Sequence, residues 1–217
     1  MTDPPPTIGS LLPTDYDYDV FISYRRGGGA RRWVERHFAP TLADCLEFEL
    51  DHEPRVFFDQ KLEVGTTWPA DLGHQLAKSR MLISLWSKNY LQSDWCALEL
   101  SHMLARETDL GFRTADNPKG LIAICVIHDG ERLPGDLGAI QSFGIREFFN
   151  TRMREDSQMA TDLETALRAH APTLAGIIEL APPFRPDWPA RAAKDFYHAY
   201  KDRTMPSQDA PPTFTSR

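Results

Sequence analysis

Hydrophobic residues in this chain fall into short dense runs, separated by longer stretches in which they recur every three or four positions. The dense runs are Val20-Phe21-Ile22, Val56-Phe57-Phe58, Met81 to Trp86, Leu121 to Ile127 and Ile145 to Phe149. Short, apolar and rich in β-branched and aromatic residues, they predict strands covered on both faces. Helical spacing fills the intervals. From Ala30 to Glu49, an apolar stripe is formed by Trp33, Val34, Phe38, Leu42, Cys45 and Leu46. Trp68-Pro69 predicts a helix start, with Leu72, Leu76 and Ala77 on its apolar side. Ser93-Asp94 reads as an N-cap for a helix from Trp95 to Glu107. Asp156 to Ala169 predicts another, with Met159, Leu163 and Leu167 aligned. Strand and helix alternate throughout. The expected class is therefore α/β, a doubly wound open sheet of about five parallel strands with helices on both faces.

The ends of the chain have a different character. Residues 1–15 are Pro-rich and polar and read as an N-terminal arm. Residues 16–170 carry the alternating pattern, and from 171 to 217 repeated prolines break the chain into a C-terminal extension. Within that extension the spacing of Ala193, Phe196, Tyr197 and Tyr200 predicts a short helix over 190–202.

Composition narrows the function. A net charge of −7 argues against general affinity for nucleic acid or an acidic membrane surface. No apolar run approaches the ~20 residues that span a bilayer, and the N-terminus lacks the basic and apolar regions of a signal peptide. Cys45, Cys96 and Cys125 are isolated and fit no metal-binding spacing. The expectation is a cytoplasmic domain with buried free thiols and no metal.

The chemistry-bearing residues cluster after the strands. Tyr16 to Arg26 reads Tyr-Asp-Tyr-Asp-Val-Phe-Ile-Ser-Tyr-Arg-Arg, followed by Gly27-Gly28-Gly29. In open α/β sheets ligands bind at the carboxyl ends of strands, so this strand delivers Ser23, Tyr24, Arg25 and Arg26 to that edge. Two guanidinium groups beside a flexible loop suit bidentate recognition of a pyrophosphate. The second run ends in Asp59-Gln60-Lys61-Leu62-Glu63-Val64-Gly65. After the third come Ser87-Lys88-Asn89-Tyr90 and then Ser93-Asp94-Trp95-Cys96-Ala97-Leu98-Glu99. Trp95 and Glu99 are four apart, which puts them on one helix face, one turn from each other.

These three motifs, in this order and at these distances, resemble the TIR (Toll/interleukin-1 receptor) domain family over roughly residues 15–170. The resemblance implies a flavodoxin-like fold, and it implies that residues 59–67 form the loop that flanks the active cleft and mediates self-association. Lys61-Leu62-Glu63 followed by Gly65 is similar to the NAD-cleaving members. The receptor adaptors carry Arg-Asp and Pro-Gly in this loop, and here Val64 stands where their Pro would be. By the same resemblance Glu99 is the catalytic residue, and Tyr24, Arg25, Arg26, Lys61, Glu63, Ser87 and Trp95 surround the dinucleotide. NAD+ is then a substrate and no cofactor is required. The implied activity is that of an NAD+ nucleosidase. It yields nicotinamide and ADP-ribose or cyclic ADP-ribose, acts on self-association and serves defence or signalling, with other TIR-domain or effector proteins as further partners. The alternative is a non-catalytic adaptor that recruits TIR domains, and a third reading is a sensor that binds a nucleotide without cleaving it.

One carboxylate suffices for such a cleavage. The nicotinamide–ribose bond breaks through an oxocarbenium-like transition state, as in glycoside hydrolysis. Nicotinamide leaves as a neutral base from a pyridinium cation, so no acid is needed to protonate it. What remains is to stabilise developing positive charge, which an ionised Glu does.

Overall fold

The structure, a computed structural model, describes residues 15–58, 70–128, 137–138, 140 and 142–185. Five strands form one sheet: β1 (Tyr18–Tyr24), β2 (Val56–Phe58), β3 (Ser79–Ser87), β4 (Ile122–His128) and β5 (Ser142–Gly144). Their order is β2-β1-β3-β4-β5 and every pairing is parallel. The chain moves one way from β1 to β2 and the other way from β3 onward. The crevice of this topological switch point therefore lies between the ends of β1 and β3.

Both faces are covered, as the dense runs require. Val20, Ile22, Tyr24, Met81, Ile83 and Leu85 point into one core layer, while Phe21, Leu82 and Trp86 point into the other. The first layer is closed by the helical run that follows β1 and by α5 (Gln158–Glu179). The second is closed by α3 (Ala70–Ala77) and α4 (Asp94–Asp109). Leu76 of α3 is fully buried, and Leu72 lies outside the residues with described side chains. Cys45, Cys96 and Cys125 are buried free thiols.

The run after β1 is three helical segments in line: α1 (Ala30–Trp33), a π-helical turn (Val34–Phe38) and α2 (Ala39–Glu47). The sequence predicts one regular helix here. Pro40 accounts for the widened turn, because it has no N–H for the carbonyl four residues back. The Ala39 N–H reaches the Val34 carbonyl instead.

Two expectations need correction. Ile145 to Phe149 is not the fifth strand; Ser142–Gly144 is, and Arg146–Phe148 form a 3-10 turn. The apolar residues of that segment serve Trp33 instead. Its indole N–H donates to the Phe148 carbonyl at 2.9 Å, and Phe149 meets its ring edge-on at 5.1 Å. The helix expected to stop at Ala169 continues through Pro172 to Glu179. An interior Pro costs a helix ~3 kcal/mol, and burial of Leu174 and Ile178 at ~1.5–3 kcal/mol each offsets it. Beyond α5 the chain packs back on the domain, with the Tyr16 hydroxyl donating to the Pro182 carbonyl at 2.7 Å. The arm before residue 15 and the predicted helix over 190–202 lie outside the described residues.

Candidate functional site

Strand alternation decides which side chains meet at the switch point. Asp19, Phe21 and Ser23 share the β1 face that looks toward α4, and Tyr24 points to the other face. On β3 the matching position is Ser84, which pairs with Ser23 across the strands. Both serines are buried, and Phe21, Leu82 and Trp86 flank them on this sheet face. Above them lies Glu99, in the second turn of α4. That helix begins where expected, with the Ser93 side chain accepting from the Cys96 N–H at 3.4 Å.

Glu99 is only 5% exposed. Ser23 Oγ donates to its Oε2 at 2.5 Å, and Tyr90 Oη lies 2.5 Å from the same Ser23 oxygen. An ionised carboxylate can only accept, so Ser23 spends its single proton on Glu99 and Tyr90 donates to Ser23. Tyr90 is held in place by the 3-10 turn Tyr90–Gln92 after β3 and by its ring lying 4.8 Å from Trp86. Burial pushes its phenol well above the ordinary range, so it stays protonated and able to donate.

Electrostatics set Glu99 apart from an ordinary surface glutamate. Burial raises its carboxyl from 4.5 to about 7, opposed first by the Ser23 hydrogen bond and then by the Arg26 charge. Arg26 stands over the Trp95 ring with its guanidinium carbon 4.9 Å from the centroid, so it spans the two ends of the Trp95–Glu99 turn. Cys96, fully buried beside them, has its thiol pushed up by burial and then by the Glu99 charge. It is held as an inert thiol.

Gly27, Gly28 and Gly29 have φ values of 131°, 58° and 82°, all in the left-handed region that favours glycine. The triplet turns the chain sharply from β1 into α1, and a Cβ on Gly29 would also lie 2.8 Å from the Thr151 methyl. Arg25 and Arg26 therefore end a strand at a tight, side-chain-free corner.

The expected site residues separate accordingly. Glu99, Arg26 and Trp95 come together. Arg25 is exposed at the same strand end, without an ion pair among the described residues. Tyr24 faces the opposite core layer, where burial raises its phenol to about 12. Ser87 is half-buried at the end of β3, where the pairing with β4 slips by one residue. Lys61 and Glu63, with the whole 59–67 loop, lie outside the described residues. Ser23 was expected at this strand end, though with no stated role, whereas Ser84 and Tyr90 were not among the expected site residues. A serine inside the dense apolar run Met81 to Trp86 was the available signal for Ser84. No group of three or more His, Cys, Asp or Glu side chains that could hold a metal occurs among the described residues. None of the helices there is long and apolar enough to cross a membrane.

Comparison with known proteins identifies the family. Residues 20–156 match the TIR domain family, and the chain belongs to that family. It is 33% identical over 94 residues to the TMV resistance protein N of Nicotiana glutinosa, covering 43% of this chain and 8% of that protein. It is 30% identical over 100 residues to the disease resistance protein RPV1 of Vitis rotundifolia, covering 46% of this chain and 7% of that protein. The chain thus spans less than a tenth of the length of these relatives. Among solved structures, it is similar to the TIR domains of the activated Roq1 resistosome that recognises the pathogen effector XopQ. The identity is 18% and the TM-score 0.34, over 86% of this chain and 99% of that one.

Proposed function

We propose that this TIR domain cleaves NAD+ at the nicotinamide–ribose bond, with Glu99 as the catalytic carboxylate. The observation that supports it is a single buried glutamate at the switch point of the sheet, hydrogen-bonded to Ser23 and neighboured by Arg26. A carboxylate held near neutrality by burial is a common signature of a functional group.

In this reading Arg26 and Arg25 bind the pyrophosphate, and Trp95 walls the cleft. The cationic nicotinamide ring strengthens ionisation of Glu99 when it binds, because an opposite charge favours the charged form. The C1′–N bond then breaks with its electron pair leaving on the nicotinamide nitrogen. Glu99 faces the positive charge that develops on the ribose. Water adds to C1′ and gives up a proton to solvent, yielding ADP-ribose, or a ring nitrogen of the adenine of the same molecule adds to give the cyclic product. No second acid is required.

Lys61 and Glu63 complete the cleft in this proposal, and the 59–67 loop brings a neighbouring copy of the chain against it. Activity then rises faster than linearly with protein concentration.

The test is direct. The purified 217-residue chain is incubated with NAD+ across a concentration range, and products are resolved by chromatography beside the Glu99→Gln variant. Nicotinamide released by wild type and not by the variant supports the proposal. Intact NAD+ at concentrations where the chain is assembled overturns it in favour of the adaptor.

A further inference from the structure

Away from Glu99, at the opposite end of the sheet, the first residues of β4 and β5 face the C-terminal half of α5 across a cavity of about 650 Å³. Small-molecule sites commonly fall between ~300 and ~1,000 Å³. No step proposed for Glu99 uses it.

The cavity is built at a cost to the helix that forms its wall. Pro172 and Gly176, the two poorest helix-forming types, both sit in α5 and both line it. A Cβ on Gly176 would meet nothing within 4 Å, so this glycine is not there to let another part of the chain approach. A locally unfavourable residue that packing does not demand is where function is expected to override propensity. The facing wall is rigid by contrast. A Cβ on Gly120 would come within 2.5 Å of the Arg113 guanidinium, which is locked to the buried Glu107 carboxylate.

The lining defines the chemistry. Its floor is apolar, from Phe143, Leu174 and Ile177, with the His170 ring 4.4 Å from that of Phe143. Its rim carries Arg113 and Lys119, and among the described residues none that lines it is acidic. That is notable in a chain with 31 acidic and 24 basic residues. Glu107 neutralises Arg113, whereas Lys119 has no acidic partner among the described residues. The geometry points to a binding site for a small amphipathic anion. Its ring or short chain lies on Phe143, Leu174 and Ile177, and its acidic head meets Lys119.

The probe is 8-anilinonaphthalene-1-sulfonate, an aromatic sulfonate whose emission rises in apolar surroundings, titrated into the folded 217-residue chain at neutral pH. Wild type is expected to give a saturable, single-site signal that weakens with salt. Lys119→Glu, at an exposed position, is expected to weaken binding roughly tenfold or more, the effect of one charge-assisted contact. Gly176→Phe is expected to fill the space and abolish the signal, and Gly176→Ala to keep it, with thermal melts confirming that each variant is folded. No saturable signal in wild type overturns the proposal. So does wild-type affinity in Lys119→Glu, or in a folded Gly176→Phe.

Discussion

The Ser23 hydroxyl donates to Glu99 Oε2 at 2.5 Å, tying the end of the first strand to the second turn of α4 across 76 residues of sequence. It gives Glu99 one fixed orientation and favours its charged form where burial opposes charge. Ser23 is thus a positioning residue for the proposed reaction.

Removing that hydroxyl with Ser23→Ala takes away a hydrogen bond to a charged group, ~1.5–3 kcal/mol. That corresponds to roughly one to two units upward in the apparent pKa of Glu99. The proposed reaction needs the ionised form, so activity is lost as pH falls. Starting from about 7, NAD+ cleavage at pH 7 should drop roughly five- to fiftyfold through this shift and largely recover by pH 9. A pH–rate profile checks it: a drop of equal size at every pH means that Ser23 acts on the fold and not on Glu99.

Glu99→Gln should separate function from stability. The folded carboxyl titrates at about 7, against its ordinary 4.5. The fold therefore binds this proton more tightly than the unfolded chain does, and its stability falls as pH rises from 4.5 to about 7. Gln carries no charge and still accepts from Ser23. Cleavage should fall ~10²–10³-fold, the usual loss for one transition-state electrostatic contact. The variant should nevertheless be more stable than wild type at pH 8, by about 3 kcal/mol at most, and little different near pH 4. Urea unfolding at the two pH values measures this. Equal stability at pH 8 is the outcome that sinks it.

How far the residues disclosed this arrangement depends on the range of the interaction that fixes each one. β1, β3 and β4 were legible because burial on both faces leaves dense apolar runs, and α4 was legible from its Ser93 cap and apolar spacing. That Glu99 and Trp95 share one face follows from local spacing in that helix, whereas the role expected of Glu99 came from the resemblance to TIR domains. The pairing of Ser23 with Ser84 is set by strand register, which no local pattern records. Tyr90 closes the Ser87-to-Tyr90 motif, but its contact with Ser23 is not visible until β1 is laid beside β3. β5 was missed because Ser142-Phe143-Gly144 holds a single large apolar residue. The continuation of α5 past Pro172 was hidden for a similar reason: tertiary burial of Leu174 and Ile178 overrides a local breaker.

Gly120→Ala should destabilise the domain without touching the Glu99 end of the sheet. The added methyl would enter the space held by the Glu107 carboxylate and the Arg113 guanidinium. Glu107 accepts from Nε and Nη2 of Arg113 and from the Leu121 and Ile122 N–H groups, so displacing it strands several buried partners. Disrupting a buried pair costs about 3–5 kcal/mol, partly relieved here because Arg113 can shift. A loss of ~2 kcal/mol or more in chemical unfolding is expected, with KM for NAD+ unchanged in the folded fraction. A neutral substitution means that the Glu107–Arg113 lock is slack.

The two strand-end arginines should differ, although the sequence places them side by side. Contacts to a pyrophosphate persist from bound substrate to transition state, so losing one weakens binding uniformly and raises KM more than it lowers kcat. Arg25 is exposed and its charge is not among those acting on Glu99, so Arg25→Ala should show that pattern alone, with roughly a tenfold to hundredfold rise in KM. Arg26 also stands over Trp95 and opposes the upward push on the Glu99 carboxyl. Arg26→Ala should therefore raise KM and, in addition, move the acid limb of kcat/KM to higher pH, because Glu99 loses a neighbouring positive charge. Arg26→Lys should restore the acid limb better than KM, since an ammonium replaces the charge and not the bidentate fork. Steady-state kinetics of the three variants from pH 5 to 9 decide the matter. An acid limb that moves equally in Arg25→Ala and Arg26→Ala, or in neither, would remove Arg26 from its place beside Glu99.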